Sequence, residues 1–303
     1  MHVVVMGAGS LGSLIGGLLA DAHEVTLVGR ERHMRAIAAN GLRITGELDR
    51  RAHPETRRSY PTTADVDICL VTVKATDTRT VANEIADSPP RTTVSLQNGL
   101  GNEEILREVL PYRTTVLAGT TTFGALLEEP GRVTCTGRGN VQLGDPEGGR
   151  SPVAEEIANA FEVAGIQTTA ASDMPSRLWR KLAVNAGINP TTALARVQNG
   201  RVAEAPLQAI AASAARETAI VGERNGIPCD ADAFAAETIE VAQRTATNTS
   251  SMARDFLREQ RSEIDAINGA VVQRAGEVPT PVNQTLYGLV VARERSLGLR
   301  NAK

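Results

Sequence analysis

In the stretch "LWRKLAVNAGINP", residues 178–190, Lys181, Asn185 and Asn189 recur at steps of four among Trp179, Leu182, Val184, Ala186 and Ile188. Four residues advance an α-helix by roughly 400°, so the three polar groups share a stripe about 80° wide on an otherwise apolar helix. Arg177 extends the stripe by one more step. An ammonium beside two amides can hold an oxygen-rich small molecule and give it a proton, because amides donate and accept without adding charge. A plain solvated helix face fits the same spacing. The remaining chain has to discriminate between the two.

Elimination narrows the chemistry. The histidines His2, His23, His33 and His53 all precede residue 54, so the second half of the chain has no histidine acid, and no zinc constellation can be assembled. Tyr60, Tyr112 and Tyr287 are not followed by lysine four residues on, which argues against a Tyr-x-x-x-Lys proton donor. Carbonyl reduction by this chain would need another acid, and Lys181 is the lysine best placed for it.

The elements that must position these groups begin with "HVVVM" (2–6), "GAGSLG" (7–12), "SLIGGLLADA" (13–22) and "EVTLV" (24–28). Strand, glycine turn, helix and strand make a βαβ unit of about 30 residues with GxGxxG at the strand-to-helix turn, the fingerprint of dinucleotide binding. Within Gly7, Ala8, Gly9, Ser10, Leu11 and Gly12, the first glycine permits the tight turn and the second lets backbone approach a pyrophosphate. The third allows helix and strand to pack closely. The second strand ends in Gly29-Arg30, where NAD-binding units usually carry an acid for the ribose 2′-hydroxyl. A missing carboxylate and a guanidinium that can grip a 2′-phosphate favour NADP(H), with Arg32 able to share the task.

Further strands are expected at 66–73, 92–96 and 115–121, whose carboxyl ends carry Lys74, Gln97-Asn98-Gly99 and the run from Thr120 to Ala125. Ligands of open parallel sheets sit just outside such ends. The stretches 132–136 and 140–145 read as a closing hairpin, followed by a helix (152–164) and a strand-like 166–171. From Asp173 onward the chain is Ala-rich and helical in period, with helices expected at 176–189, 203–225, 230–247 and 252–275. Breaks are expected at Asn189-Pro190, Asn199-Gly200, 226–228 and 279–281. The expected fold is α/β: a Rossmann-type doubly wound sheet over 1–171, then an all-helical domain over 172–303 that carries the substrate groups. A small-molecule site would lie in the cleft between them.

Composition agrees with two ordinary globular domains. The chain has 303 residues and a formal charge of −3, so nothing points to nucleic acid. Cys69, Cys135 and Cys229 share no CxxC spacing, and an odd, scattered set fits a reducing cytoplasm. Val3 to Ala20 is uncharged for 18 residues, but five are glycine and two serine, which a strand and glycine turn explain better than a membrane span. No membrane or targeting segment and no metal is expected. The oligomeric state is open, a homodimer being one option.

With these motifs in order, the chain resembles the ketopantoate reductase (2-dehydropantoate 2-reductase) family. The resemblance rests on "GAGSLG", "LVTVKA" (70–75), "LQNGLG" (96–101), "AGTTTFGA" (118–125), "LWRKLAVNAGINPTTAL" (178–194), "NTSSM" (248–252) and "SEIDAINGAV" (262–271). It implies NADPH-dependent reduction of the 2-oxo acid ketopantoate to pantoate, with Lys181 as general acid. It further implies that Asn185, Asn189 and Asn199 bond the substrate and that Ser251 helps hold its carboxylate. Asn98 would sit between nicotinamide and substrate, Lys74 and Ala125 would touch the cofactor, and Glu263 would orient the amine or the ribose. Taken alone, Asn98-Gly99 reads equally as a turn, Ser251 as a helix N-cap and Glu263 as part of a solvated face. One departure is Phe123, where some family members carry histidine. The alternatives are a related NADP-dependent reductase or dehydrogenase of another 2-oxo or hydroxy acid, the latter using Lys181 as base, and an NADP(H) sensor without activity.

Overall fold

Two compact units account for the chain in the computed structural model, which describes residues 1–62 and 65–300. One comprises 1–97 and 102–174; the other comprises 98–101 and the chain from Pro175 onward.

The first unit opens with β1 (His2–Met6), α1 (Ser10–Leu19), β2 (Glu24–Val28) and α2 (Glu31–Asn40). Then come β3 (Leu42–Gly46), β4 (Arg50–Ala52), β5 (Glu55–Arg57), β6 (Ile68–Val71), α3 (Thr78–Ala86), β7 (Thr92–Ser95) and α4 (Asn102–Val109). It closes with β8 (Thr115–Thr121), β9 (Gly124–Glu129), β10 (Arg132–Gly137), β11 (Val141–Gly144), α5 (Pro152–Val163) and β12 (Thr168–Ala170). Eight strands form one sheet in the order β12-β11-β8-β7-β6-β1-β2-β5, and four form a second, β4-β3-β10-β9. The centre of the large sheet is parallel: β1 pairs with β2 and β6, β6 with β7, and β7 with β8.

The uninterrupted apolar run of β1 follows from burial on both faces. Successive side chains alternate, so Val3 and Val5 pack with Leu14, Ile15 and Leu18 on one side. Val4 and Met6 pack with Val81, Ile85 and Leu106 on the other. The chain leaves β1 for β2 on one side and reaches β6 on the other, which makes the β1/β6 carboxyl ends the switch point where such sheets bind ligands.

The expected hairpin of 132–136 with 140–145 does not form. β10 instead turns back on β9 through Pro130-Gly131, with Glu129 opposite Arg132 and Gly131 at φ 83°. A two-residue turn with a left-handed glycine gives β10 an immediate neighbour. β11 is left to join the large sheet antiparallel to β8.

The second unit contains α6 (Met174–Ala195, whose first residue belongs to the first unit), α7 (Leu207–Arg224), α8 (Ala231–Arg244), α9 (Ser251–Leu257), α10 (Asn268–Arg274) and α11 (Pro281–Ser296). Three boundaries differ from expectation. α6 does not break at Asn189-Pro190 but runs through it. Proline removes the N–H that would bond the carbonyl of Ala186, and Asn268 Nδ2 donates to that carbonyl at 3.1 Å instead. The stretch 252–275 is not one helix, because the chain leaves α9 with Glu259 at φ 51° and runs through a turn before α10. Ser262 in that turn gives both its N–H and its hydroxyl to Glu294 of α11, so its polar groups are satisfied by tertiary rather than helical partners. α11, not anticipated, starts on Pro281 with Glu217 of α7 accepting from the N–H groups of Val282 and Asn283, both at 2.9 Å. Trp179, Leu182, Ala183 and Ala186 of α6 are buried in the core of this unit with Phe234, Ile264 and Ile267. No helix among the described residues is long and apolar enough to cross a membrane.

Candidate active site

At the end of β1, Gly7 takes φ 107°, a conformation only glycine adopts cheaply. A Cβ there would lie 2.6 Å from the Val73 nitrogen, and one at Gly12 would lie 2.4 Å from both Gly7 O and Thr72 Oγ1. Gly9 is different: its Cβ would meet nothing nearer than Gly7 O at 3.9 Å. The first and third glycines are therefore required by the fold, and the second keeps a surface open above the N-terminus of α1. No side chain caps that terminus, so the turn offers backbone N–H groups and a positive helix end to an anion. These residues fit a dinucleotide pyrophosphate. Ala8 is tied down by its N–H bond to Val28 O at 2.8 Å, and Ser10 Oγ accepts from Leu127 N–H at 2.9 Å. Leu11, Phe123 and Ala125 each pack against the core of this unit.

Thr72, which the sequence reading passed over, fastens this turn: its hydroxyl donates to Gly7 O at 2.9 Å. Two residues on, Lys74 is half-buried and starts a short 3₁₀ turn. The Gln97 amide donates to Val73 O at 3.0 Å and to Thr78 Oγ1 at 2.8 Å, and Thr78 donates to Asn102 Oδ1 at 2.9 Å. That buried chain of amides and hydroxyls sets the path of the backbone that carries Lys74. Arg30, at the N-cap of α2, is exposed directly after β2. Ala125 lies on β9 opposite Cys135. Deeper in this unit, burial pushes the Glu103 carboxyl up to about 7, against the opposing pull of its hydrogen bonds to its own N–H and to Ser95.

On α6 the stripe is not uniformly wet. Lys181 and Asn185 are half-buried and Asn189 is 6% exposed. The Asn185 Nδ2 atom is buried and has no hydrogen-bond partner among the described residues, and neither does Asn199 Oδ1. Buried amide groups without partners are uncommon, and a bound water or ligand would complete them. Asn189 Nδ2 donates to Ser251 Oγ at 3.4 Å, and Asn199 Nδ2 to Thr245 Oγ1 at 3.0 Å. The N-cap of α9 is Ser250, whose hydroxyl accepts from Ala253 N–H at 3.2 Å, so Ser251 is not the cap.

Asn98 belongs to this unit too, through the inserted segment 98–101. Its amide donates to Glu263 Oε2 at 3.2 Å, and Leu100 N–H donates to Ala266 O at 3.0 Å. Gly99 sits at φ 86° with room for no side chain, since a Cβ would lie 2.3 Å from Ala266 O. The structure thus brings Asn98 to Glu263, and Asn189 to Ser251. An ammonium, several amides and a carboxylate on one helical unit can bind a small oxo acid and move a proton, while the glycine turn can hold phosphates. Among the described residues no three His, Cys, Asp or Glu side chains gather in a metal-holding group.

Comparisons with known proteins bear on both units. The family model described as "Ketopantoate reductase PanE/ApbA" matches residues 3–148, and "Ketopantoate reductase PanE/ApbA C terminal" matches residues 173–294. A 2-dehydropantoate 2-reductase from Archaeoglobus fulgidus is 41% identical over 302 residues, covering 98% of this chain and 99% of that protein. A crystal structure of a PanE/ApbA family ketopantoate reductase from Ralstonia eutropha superposes with a TM-score of 0.89 at 30% identity, covering 98% of this chain and 100% of that one. The ternary structure of D-mandelate dehydrogenase with NADH and anilino(oxo)acetate gives a TM-score of 0.92 at 25% identity, covering 99% and 100%.

Proposed function

The chain belongs to the ketopantoate reductase family, and on that premise we propose that it reduces ketopantoate to pantoate with NADPH, Lys181 serving as general acid. The product would feed pantothenate and coenzyme A synthesis. The observation that carries the reading is the α6 stripe, in which Lys181 stands one turn from the unpartnered Asn185 amide and two turns from the buried Asn189. A solvated face leaves no such orphan.

In this reading the first unit holds the cofactor and the second the substrate. The Gly7–Gly12 turn binds the pyrophosphate, Arg30 grips the 2′-phosphate, and Lys74 and Ala125 line the dinucleotide. NADPH, when bound, supplies the hydride. Lys181 hydrogen-bonds the 2-oxo oxygen, stabilises the negative charge that develops there and gives up its proton to it. Asn185, Asn189 and Asn199 orient the substrate's hydroxyl and carbonyl groups, and Ser251, held by Asn189, helps bind its carboxylate. Asn98 lies beside the reacting centre, and Glu263, hydrogen-bonded to Asn98, orients the ribose or the amine. The three free cysteines are consistent with a reducing cytoplasm.

A second reading is favoured by one comparison. The likeness to D-mandelate dehydrogenase, captured with NADH, fits an enzyme that uses NADH and a different 2-oxo acid on the same scaffold. Steady-state oxidation of NADPH and of NADH, each with ketopantoate and a panel of aliphatic and aryl 2-oxo acids, separates the two. The proposal expects the highest kcat/KM for NADPH with ketopantoate. A preference for NADH or for an aryl 2-oxo acid would replace it.

A further inference from the structure

We propose that Arg300 is a positioning residue for Glu263: by gripping Asp265 and Glu294 together, it holds the turn over 262–266 that presents the Glu263 carboxylate to Asn98. The inference rests on the reading above only in taking Glu263 as part of the active site.

Glu263 is fixed from both sides. On its N-terminal side, Ser262 is completely buried and gives its N–H (2.8 Å) and hydroxyl (2.6 Å) to Glu294 Oε1. On its C-terminal side, Asp265 receives Arg300 Nη1 at 3.0 Å and Nη2 at 2.7 Å, Arg261 Nη2 at 2.9 Å and the Tyr287 hydroxyl at 3.0 Å. Arg300 joins the two halves, because its Nε donates to Glu294 Oε2 at 2.8 Å. One guanidinium therefore ties a bidentate contact on Asp265 to the fully buried Glu294 carboxylate. Its side chain is only 15% exposed, so solvent competes weakly for these bonds.

The same turn holds the partner of Glu263. Ala266, next after Asp265, accepts the Leu100 N–H and packs against Gly99, which sets where Asn98 stands. Both ends of the Asn98–Glu263 hydrogen bond consequently depend on 262–266. Burial alone would push the Asp265 carboxyl up, but the hydrogen bonds from Arg300 and Arg261 and the charge of Arg300 outweigh it and hold it below its ordinary value. Asp265 is thus ionised at neutral pH. Without Arg300 the fully buried Glu294 carboxyl would lose its guanidinium partner, and the turn it anchors would relax.

The test is a double-mutant cycle on the full-length protein. Arg300→Ala is made in the wild type and in a Glu263→Gln background, with kcat, KM and melting temperature measured for all four proteins. Displacing a reacting constellation by about an ångström can lower turnover by up to roughly a hundredfold, and a loss of kcat of about tenfold is expected in the wild type. In the Glu263→Gln background little further loss of kcat is expected, while the melting temperature falls equally in both. Should Arg300→Ala fail to fold, Arg300→Lys carries the same comparison, since an ammonium keeps the charge but cannot grip both carboxylates at once. Wild-type kcat in the Arg300 variants well below their melting temperatures, or an equal fold-loss in both backgrounds, would overturn the proposal. Failure of the functional reading looks different: the wild type itself would not reduce ketopantoate, and the cycle would then be run on whichever 2-oxo acid it turns over.

Discussion

In the proposed function the working groups at the Gly7–Gly12 turn are backbone N–H groups, and a side chain is excluded at Gly12, where a Cβ would lie 2.4 Å from two oxygens. On α6 the working groups are side chains, carried by a backbone that most residues could build. The first region couples its function to its fold, since the atoms that shape the turn are those that would meet the phosphates. The second separates the two: Trp179, Leu182 and Ala183 hold the helix in its core, and in the proposed function Lys181 and Asn185 meet the substrate. Substitutions of the polar stripe on α6 should therefore change chemistry without unfolding the protein, and substitutions in the turn should do so only at the one glycine whose surroundings are open.

The sharpest break would come at Lys181. Lys181→Ala is expected to lower kcat by roughly 10²–10⁴-fold, the scale for loss of a positioned acid, with the melting temperature unchanged or raised. Near-normal turnover, or activity lost only through unfolding, would make the stripe structural. Arg30→Ala tests the cofactor side. Loss of a charge-assisted contact worth about 1.5–3 kcal/mol should weaken NADPH by roughly 10–150-fold and leave NADH nearly unaffected. Titrating both cofactors against the variant checks it, and equal weakening of the two would remove Arg30 from the 2′-phosphate. Away from both regions, Glu103 should affect stability alone. Its native carboxyl titrates at about 7, above the ordinary 4.5. The folded state thus binds the proton more tightly, and stability falls as pH rises from 4.5 through 7. Glu103→Gln removes that dependence, so its stability relative to wild type should improve by about 2–3 kcal/mol between pH 4.5 and pH 8. Urea unfolding at the two pH values measures it, and kcat should not change. Within the turn itself, Gly12→Ala should cost about 1–3 kcal/mol of stability through overpacking. Gly9→Ala should leave the melting temperature of the cofactor-free protein unchanged yet weaken NADPH. A destabilised Gly9→Ala would erase the distinction between glycines kept for the fold and the glycine kept for the ligand.

Legibility from sequence followed the same division. The βαβ unit and its glycines could be read because steric demands fix residue type at each position, and the α6 stripe because helical period fixes spacing. What escaped depended on partners far along the chain. Pro190 reads as a break, and Asn268, 82 residues along the chain from Ala186, supplies the donor to the carbonyl that Pro190 leaves free. The run 252–275 keeps a helical composition, yet Ser262 turns away to reach Glu294. β9 was missed because "GALLEE" carries little β propensity, and its pairing with β10 is set by the Pro130-Gly131 turn. Among site residues, Ser251 was readable as a cap until its neighbour Ser250 proved to fill that role. Thr72 carried no signal beyond its place after a strand, and Arg300 none at all.

The segment 98–101 belongs to the second unit although the chain on either side of it belongs to the first. Leu100 packs on the core of Trp179, Ile264 and Ile267, and Gly99 and Leu100 meet Ala266. The helical unit is thus not a transferable module. A fragment expressed from Pro175 onward would lack a piece of its own interior, and a chimera of two relatives joined near residue 174 would take Asn98 from one parent and Glu263 from the other. Recombination at that apparent boundary would pass only where both parents agree on the four residues carried across it.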